Sequence, residues 1–221
     1  MNCSDSRPES VGKQNNTLSC PALNVAFTGH RADSLPWGFN ESSDECLKLK
    51  AGLLRAIRCA YTDGKRCFLS GMASGVDIYA AEAVLQLRET LPGIALVCVF
   101  PCPSRDSRSA AIAAAADSVI VLSSEYCAGC MKRRNRFLVE NASMLIAVYD
   151  GRRTGGTFQT VGMAARRGLR TVPLNPTAKK AGQQPDKPLS GLRAGLDSEL
   201  DSYEHYRSGN GTLHGQLFLT P

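Results

Sequence analysis

Long apolar runs are missing from this 221-residue sequence. Nothing approaches the ~18 consecutive apolar residues of a membrane span, so no membrane association is expected. The first twenty residues are polar and lack the apolar stretch of a secretory signal, which makes the cytoplasm the expected compartment. Aromatic residues are few, with one Trp, six Tyr and seven Phe. None but Phe137 interleaves the Arg cluster at 133–136, so platforms for stacking nucleic-acid bases are not evident. Neither GxGxxG nor the Walker pattern occurs, which removes the ordinary dinucleotide and P-loop readings. Cys127-Ala-Gly-Cys130 is a lone CxxC with no second pair and no close His pair. A zinc site needs two further ligands, so no metal is expected and the two thiols read as unpaired residues near a turn. The nine cysteines are odd in number and irregularly spaced, and several sit in apolar periodic runs. They read as reduced small hydrophobes rather than as a disulfide framework. Internal repeats are also lacking.

The composition is 43% hydrophobic and 21% charged, which is ordinary for a soluble globular chain and excludes a wholly disordered or fibrous one. Charge is unevenly placed. The formal net charge is +6, yet residues 130–170 hold nine Lys and Arg against Glu140 and Asp150, so the remainder is near neutral. A basic segment of this kind suits phosphate-bearing partners, either small nucleotides or a nucleic-acid strand, although a solvated helix face has the same composition.

Apolar runs and helical periodicities alternate along the chain. Strands are predicted at about 23–27, 66–70, 94–100, 118–122, 144–149 and 169–174. Helices are predicted from Ser42 or Ser43 to Tyr61, over 76–91, within 106–117, over 131–141 and over 158–167. Six alternations give an α/β fold, a Rossmann-like parallel sheet of about six strands with helices on both faces. Residues 22–175 form this domain. Residues 1–21, rich in Ser, Asn and Pro, read as a flexible arm, and 176–221 as a mostly flexible tail with at most a short helix over 192–206.

Ligands of such sheets bind beyond the carboxyl ends of the strands. Three segments fall at that edge. Thr28-Gly29-His30-Arg31 offers a hydroxyl, a glycine for close approach and two phosphate donors. Gly71, Met72, Ala73, Ser74 and Gly75 form a turn leading to Asp77 at a helix start, where free amides attract anions. Gly155, Gly156 and Thr157 again link a strand to a helix. Asp77 suits either a helix cap or a bond to a ribose hydroxyl. Arg108, with Ser104, Arg105 and Asp106, suits a second phosphate clamp, and Arg133 or Arg134 offers bidentate phosphate recognition. No nucleophilic triad assembles from spacing.

At these segments the sequence resembles a known bacterial family. The resemblance rests on Phe27-Thr28-Gly29-His30-Arg31, Leu35-Pro36-Trp37-Gly38-Phe39, Ser70 through Asp77 with Ala80-Ala81-Glu82, and Pro101-Cys102-Pro103. It continues in Asp106-Ser107-Arg108, Leu122 through Tyr126, Cys130 through Arg136, and Ala147 through Gly151 ahead of Gly155-Gly156-Thr157. In order, over about 23–174, these resemble the YpsA-like uncharacterised family of the SLOG superfamily, in the Smf/DprA and LOG group. The resemblance implies a Rossmann-like pocket for a nucleotide or nucleotide-derived ligand, of the AMP, ADP-ribose or NAD type, serving a sensor or a nucleotide N-glycosidic hydrolase. LOG-type phosphoribohydrolases use the glutamate of a PGGxGTxxE loop. Here Gly156-Thr157 matches the GT and Thr160 stands at the glutamate position, so a carboxylate would have to come from Glu82 or Asp77. DprA-type relatives bind single-stranded DNA, and their SGxAxGID stretch is similar to Ser70–Asp77, which makes a DNA-binding module the alternative. A homodimer is expected only by analogy with Rossmann-like relatives.

Overall fold

In a computed structural model, the chain is described at residue 18 and over residues 20–177. The expected arm, apart from its last residues, and nearly all of the expected tail, including 192–206, lie outside the described residues. Six strands, β1 (Asn24–Gly29), β2 (Cys67–Ser70), β3 (Ala95–Phe100), β4 (Ser118–Val121), β5 (Met144–Val148) and β6 (Arg170–Leu174), alternate with five helices. These are α1 (Asp44–Thr62), α2 (Val76–Leu87), α3 (Ser107–Ala115), α4 (Cys130–Glu140) and α5 (Gly155–Arg166). The sheet runs β4-β3-β2-β1-β5-β6 with every pairing parallel, the Rossmann-like α/β arrangement that the alternation predicts.

The strands are buried almost throughout, as parallel strands covered on both faces must be. Their alternation divides the core. Ala26, Leu69, Val97, Val99, Leu145 and Ala147 pack with Leu138, Val139 and Ala142 around α4 and with Ala164 of α5. The intervening positions include Phe27 and Phe68, whose rings stack at 6.0 Å. Right-handed crossovers account for the layering. The first three connections step outward from β1 and place α1, α2 and α3 together. The return from β4 to β5 and the step to β6 place α4 and α5 on the opposite face, where they pack on each other.

Local chemistry sets the ends of the elements. The Ser43 hydroxyl accepts from the Cys46 amide at 3.2 Å and starts α1, and the Asp106 carboxylate accepts from the Ser109 amide at 2.7 Å and starts α3. Two boundaries differ from the sequence pattern in ways that matter for the site. β1 extends through Thr28 and Gly29, because both pair in register with Ala147 and Val148 of β5. α5 begins at Gly155, three residues before the predicted start. Two glycines read as a loop, but amides of a first turn need no partner within the helix, so weak propensity is tolerated there.

Candidate functional site

The strand order reverses between β1 and β5. The connections after these two strands leave in opposite directions and open a crevice at their carboxyl ends. A cavity of about 370 Å³ lies there, lined by Thr28, Gly29, His30 and Arg31 from the end of β1, and by Arg152, Thr154, Gly155, Gly156 and Thr157 after β5. Ala73 reaches it from the loop after β2, Asp77 from the first turn of α2, and Met131, Arg134 and Asn135 from α4. A second cavity of about 460 Å³ continues along the sheet edge. It is lined by Gly71, Met72, Ala73, Ser74 and Gly75, by Phe39 and Glu41, and by Phe100, Pro101, Cys102, Pro103 and Arg108. Arg31, Ala73, Met131 and Arg134 border both cavities. The three sequence segments therefore meet in one two-lobed cleft.

The loops hold one another in place. Gly75 has φ +90°, and a Cβ there would stand 2.6 Å from the Ala32 nitrogen and 2.8 Å from the His30 oxygen, so only glycine lets the β2 loop cross the β1 loop. The Val76 amide donates to the His30 carbonyl at 3.3 Å and completes the crossing. Met72 takes a left-handed φ of 57°, held by its amide donating to the Ser70 hydroxyl, which itself donates to the Asp77 carbonyl at 2.8 Å. Much of the loop's hydrogen-bonding capacity is spent internally, so it acts chiefly as a wall of the cleft.

Between the lobes lies a buried ion pair. Arg134 Nη1 donates to Asp77 Oδ2 at 2.8 Å, with both side chains more than nine-tenths buried. The same carboxylate oxygen accepts from the Ala73 amide at 3.2 Å. Arg134 lies directly over Gly71, where an added Cβ would fall 1.4 Å from Nη1. The glycine is there because the guanidinium occupies the space of its side chain. Arg134 Nε is buried with no hydrogen-bond partner, which leaves a charged donor to spare at the junction of the lobes.

His30 is buried, with Nε2 3.0 Å from Asp150 Oδ1. Arg152 donates to the same carboxylate from its backbone amide and from Nε at 2.8 Å. Burial works to raise the Asp150 carboxyl, but the side-chain and backbone bonds from Arg152 and the charge of His30 outweigh it and hold the group below its ordinary value. Asp150 is a site-edge residue that sequence reasoning passed over. The signal was its position directly after β5, at the carboxyl edge.

α5 presents its first turn to the first lobe. The Thr154 side chain makes no capping bond, so the amides of Gly155, Gly156 and Thr157 face the cavity with the positive end of the helix dipole. Thr160 is fully buried and donates back to the Gly156 carbonyl at 2.8 Å. It closes the helix interior and puts no carboxylate in the lobe.

Two further expected contributors are engaged by other side chains. Arg108 lines the second lobe but is clamped by Glu41 and Glu82, both carboxylates taking two bonds from its guanidinium. With Lys50 on Glu41 at 2.6 Å this is a neutral cluster, not an open phosphate clamp. The Arg108 bond, followed by that of Lys50, lowers the Glu41 carboxyl to about 2 against the opposing effect of burial. Arg133 borders neither lobe and donates to Cys127 Sγ at 3.0 Å. Among the described residues no three His, Cys, Asp or Glu side chains gather so as to hold a metal ion, and no helix is long and apolar enough to cross a membrane.

A UPF0398 protein of Bacillus pumilus is 28% identical over 142 residues, covering 59% of this chain and 75% of that protein. A UPF0398 protein of Halalkalibacterium halodurans is 23% identical over 153 residues, 65% of this chain and 80% of that protein. The model of the YpsA family, described as the YspA SLOG family, matches residues 25–170, which run from the start of β1 to the start of β6 and include both lobes of the cleft. This chain belongs to that family.

Proposed function

We propose that the cleft binds a nucleotide or nucleotide-derived ligand, with its phosphate on the first turn of α5 and its nucleoside end in the second lobe. The observation that carries this reading is the uncapped α5 terminus facing the crevice between β1 and β5, beside the spare donor of Arg134. Arg31, exposed at the boundary of the lobes, supplies mobile positive charge. The second lobe is walled by Met72, Phe100, Pro101 and Met131, with Phe39 at its rim, a surface suited to a planar base. The two lobes together favour a two-part ligand such as ADP-ribose or an NAD-like molecule over AMP. A sensor role needs nothing further. For glycosidic hydrolysis the carboxylates at hand are Asp77 and Asp150, already paired with Arg134 and Arg152, so the reading is binding first.

A thermal-shift screen with AMP, ADP-ribose, NAD and a short oligonucleotide, followed by product analysis of every hit, tests it. A ligand at ~100 times its Kd adds about 2.7 kcal/mol. Stabilisation by ADP-ribose or NAD that is lost in Thr157→Val or Arg31→Ala supports the site. No shift with any small nucleotide removes it.

A second reading, binding of single-stranded nucleic acid, is favoured by a different surface. A groove between α4 and α5 is lined by Lys132, Arg136, Arg166 and Arg167 against Glu140, with Phe158 exposed in it. Phe158, on the neighbouring helix, supplies an exposed stacking face in this groove. Affinity for an oligonucleotide should fall steeply with salt and weaken in Arg136→Ala. A flat salt response would dismiss this reading.

A further inference from the structure

Phe39 is the most exposed large apolar side chain among the described residues, at 77%, and it borders the second lobe. A single exposed apolar side chain is ordinary on a protein surface. This one is held at a cavity mouth by the chain on both sides of it. Leu35 is buried ahead of it. Three tight turns follow: the Gly38 amide donates to the Leu35 carbonyl, the Asn40 amide to the Trp37 carbonyl and the Glu41 amide to the Phe39 carbonyl, each at 3.0 Å. Two residues on, the Glu41 carboxylate accepts from Arg108 of α3 and from Lys50 of α1. The ring is thus presented from a braced segment, and little further ordering is needed when it meets a ligand. The cavity it borders, of about 460 Å³, has Met72, Phe100, Pro101 and Met131 in its wall. An aromatic face at the mouth of an apolar-walled cavity suits a planar heterocycle, which gains contact on both of its faces.

We propose that Phe39 is the specificity-determining residue of the cleft: its ring stacks on the heterocyclic base of the ligand and holds that base against the wall of Met72, Phe100 and Pro101. This narrows the ligand class. A nucleotide that carries a base covers the exposed ring, whereas a bare sugar phosphate or an inorganic anion leaves it in water and forgoes that contact. Stacking reads the flat face and not the hydrogen-bonding edge, so Phe39 selects for a base without choosing among bases. Glu41 acts as a positioning residue, since its bonds to Arg108 and Lys50 fix the segment from which the ring projects. The inference rests on the nucleotide reading of the cleft and adds to it the residue that recognises the base.

The test is calorimetric titration of ADP-ribose into the full chain, as wild type and as Phe39→Ala, Phe39→Leu and Phe39→Trp. The side chain is mostly in water, so thermal unfolding of each variant should stay near that of wild type. Phe39→Ala should weaken binding by about tenfold. Phe39→Leu, which keeps apolar bulk but no planar face, should also bind more weakly than wild type. Phe39→Trp should recover wild-type affinity, and the fluorescence that it adds to that of Trp37 should be quenched as ADP-ribose saturates. Wild-type affinity in Phe39→Ala or Phe39→Leu, no recovery in Phe39→Trp, or added fluorescence unmoved at saturation overturns the proposal and leaves the nucleotide reading in place. Failure of ADP-ribose, NAD and AMP to bind wild type removes the nucleotide reading itself, and this proposal with it.

Discussion

At the residue scale, the account turns on Arg134. Four Lys and Arg residues crowd positions 132–136, and nothing in the sequence separates the one that turns inward. The fold separates them: Arg134 is buried on Asp77, Arg133 bends to Cys127, and Lys132 and Arg136 face the outer groove. A buried pair gains little over an apolar replacement, but a broken one leaves an unpaired charge. Asp77→Ala should therefore cost about 3 kcal/mol or more in urea unfolding. Gly71→Ala forces the guanidinium away and should cost a similar amount, but much less in an Arg134→Ala background. Additive losses in the double variant would refute the steric link between Gly71 and Arg134.

The same scale shows what could be read beforehand. That the segments 28–31 and 155–157 lie at the carboxyl edge was legible, because each follows an apolar strand. The Asp150 partner of His30, and the clamping of Arg108 by two glutamates from α2 and the segment before α1, were not recognisable. These pairings join residues 120 and 67 positions apart, or 26 for Glu82, and depend on how the helices pack.

At the scale of elements, the periodicities locate all six strands and all five helices, since a buried parallel strand and an amphipathic helix have distinct patterns. The errors fall at ends. Both boundaries that moved into the site, β1 through Gly29 and α5 from Gly155, moved because neighbours decide them. One is held by pairing with β5, the other by a first turn that tolerates glycine. Elements are also joined by charge. Glu41, ahead of α1, holds Arg108 of α3 and Lys50 of α1. Its carboxyl is depressed in the folded chain to about 2 from 4.5. A depressed acid stabilises above its unfolded value, and that contribution is lost as pH falls through the folded one. Stability should thus decline between about pH 5 and 2, and Glu41→Gln should be less stable at pH 7 with a shallower decline. Parallel pH curves for the two proteins would remove Glu41 from the account. The effect will be modest, because Arg108 is exposed and salt screens it.

At the scale of the whole molecule, the order β4-β3-β2-β1-β5-β6 is the feature that opens the candidate cleft. It places the only reversal of direction among the described strands next to the uncapped helix and the spare guanidinium donor. Strand order could not be read from the chain itself. The alternation of strands and helices fixes neither which strands are neighbours nor where the order reverses. The order also sets two candidate surfaces apart: the cleft at the carboxyl edge, and the basic groove on the outside of α4 and α5.

The most direct test follows backbone amides by nuclear magnetic resonance while ADP-ribose is titrated into the full chain. The account predicts saturable shifts that are largest at Gly155, Gly156 and Thr157, with smaller ones at Thr28–Arg31 and Ala73. Shifts confined to the outer groove around Arg136 and Arg166, or saturable shifts that leave the first turn of α5 unmoved, would contradict it.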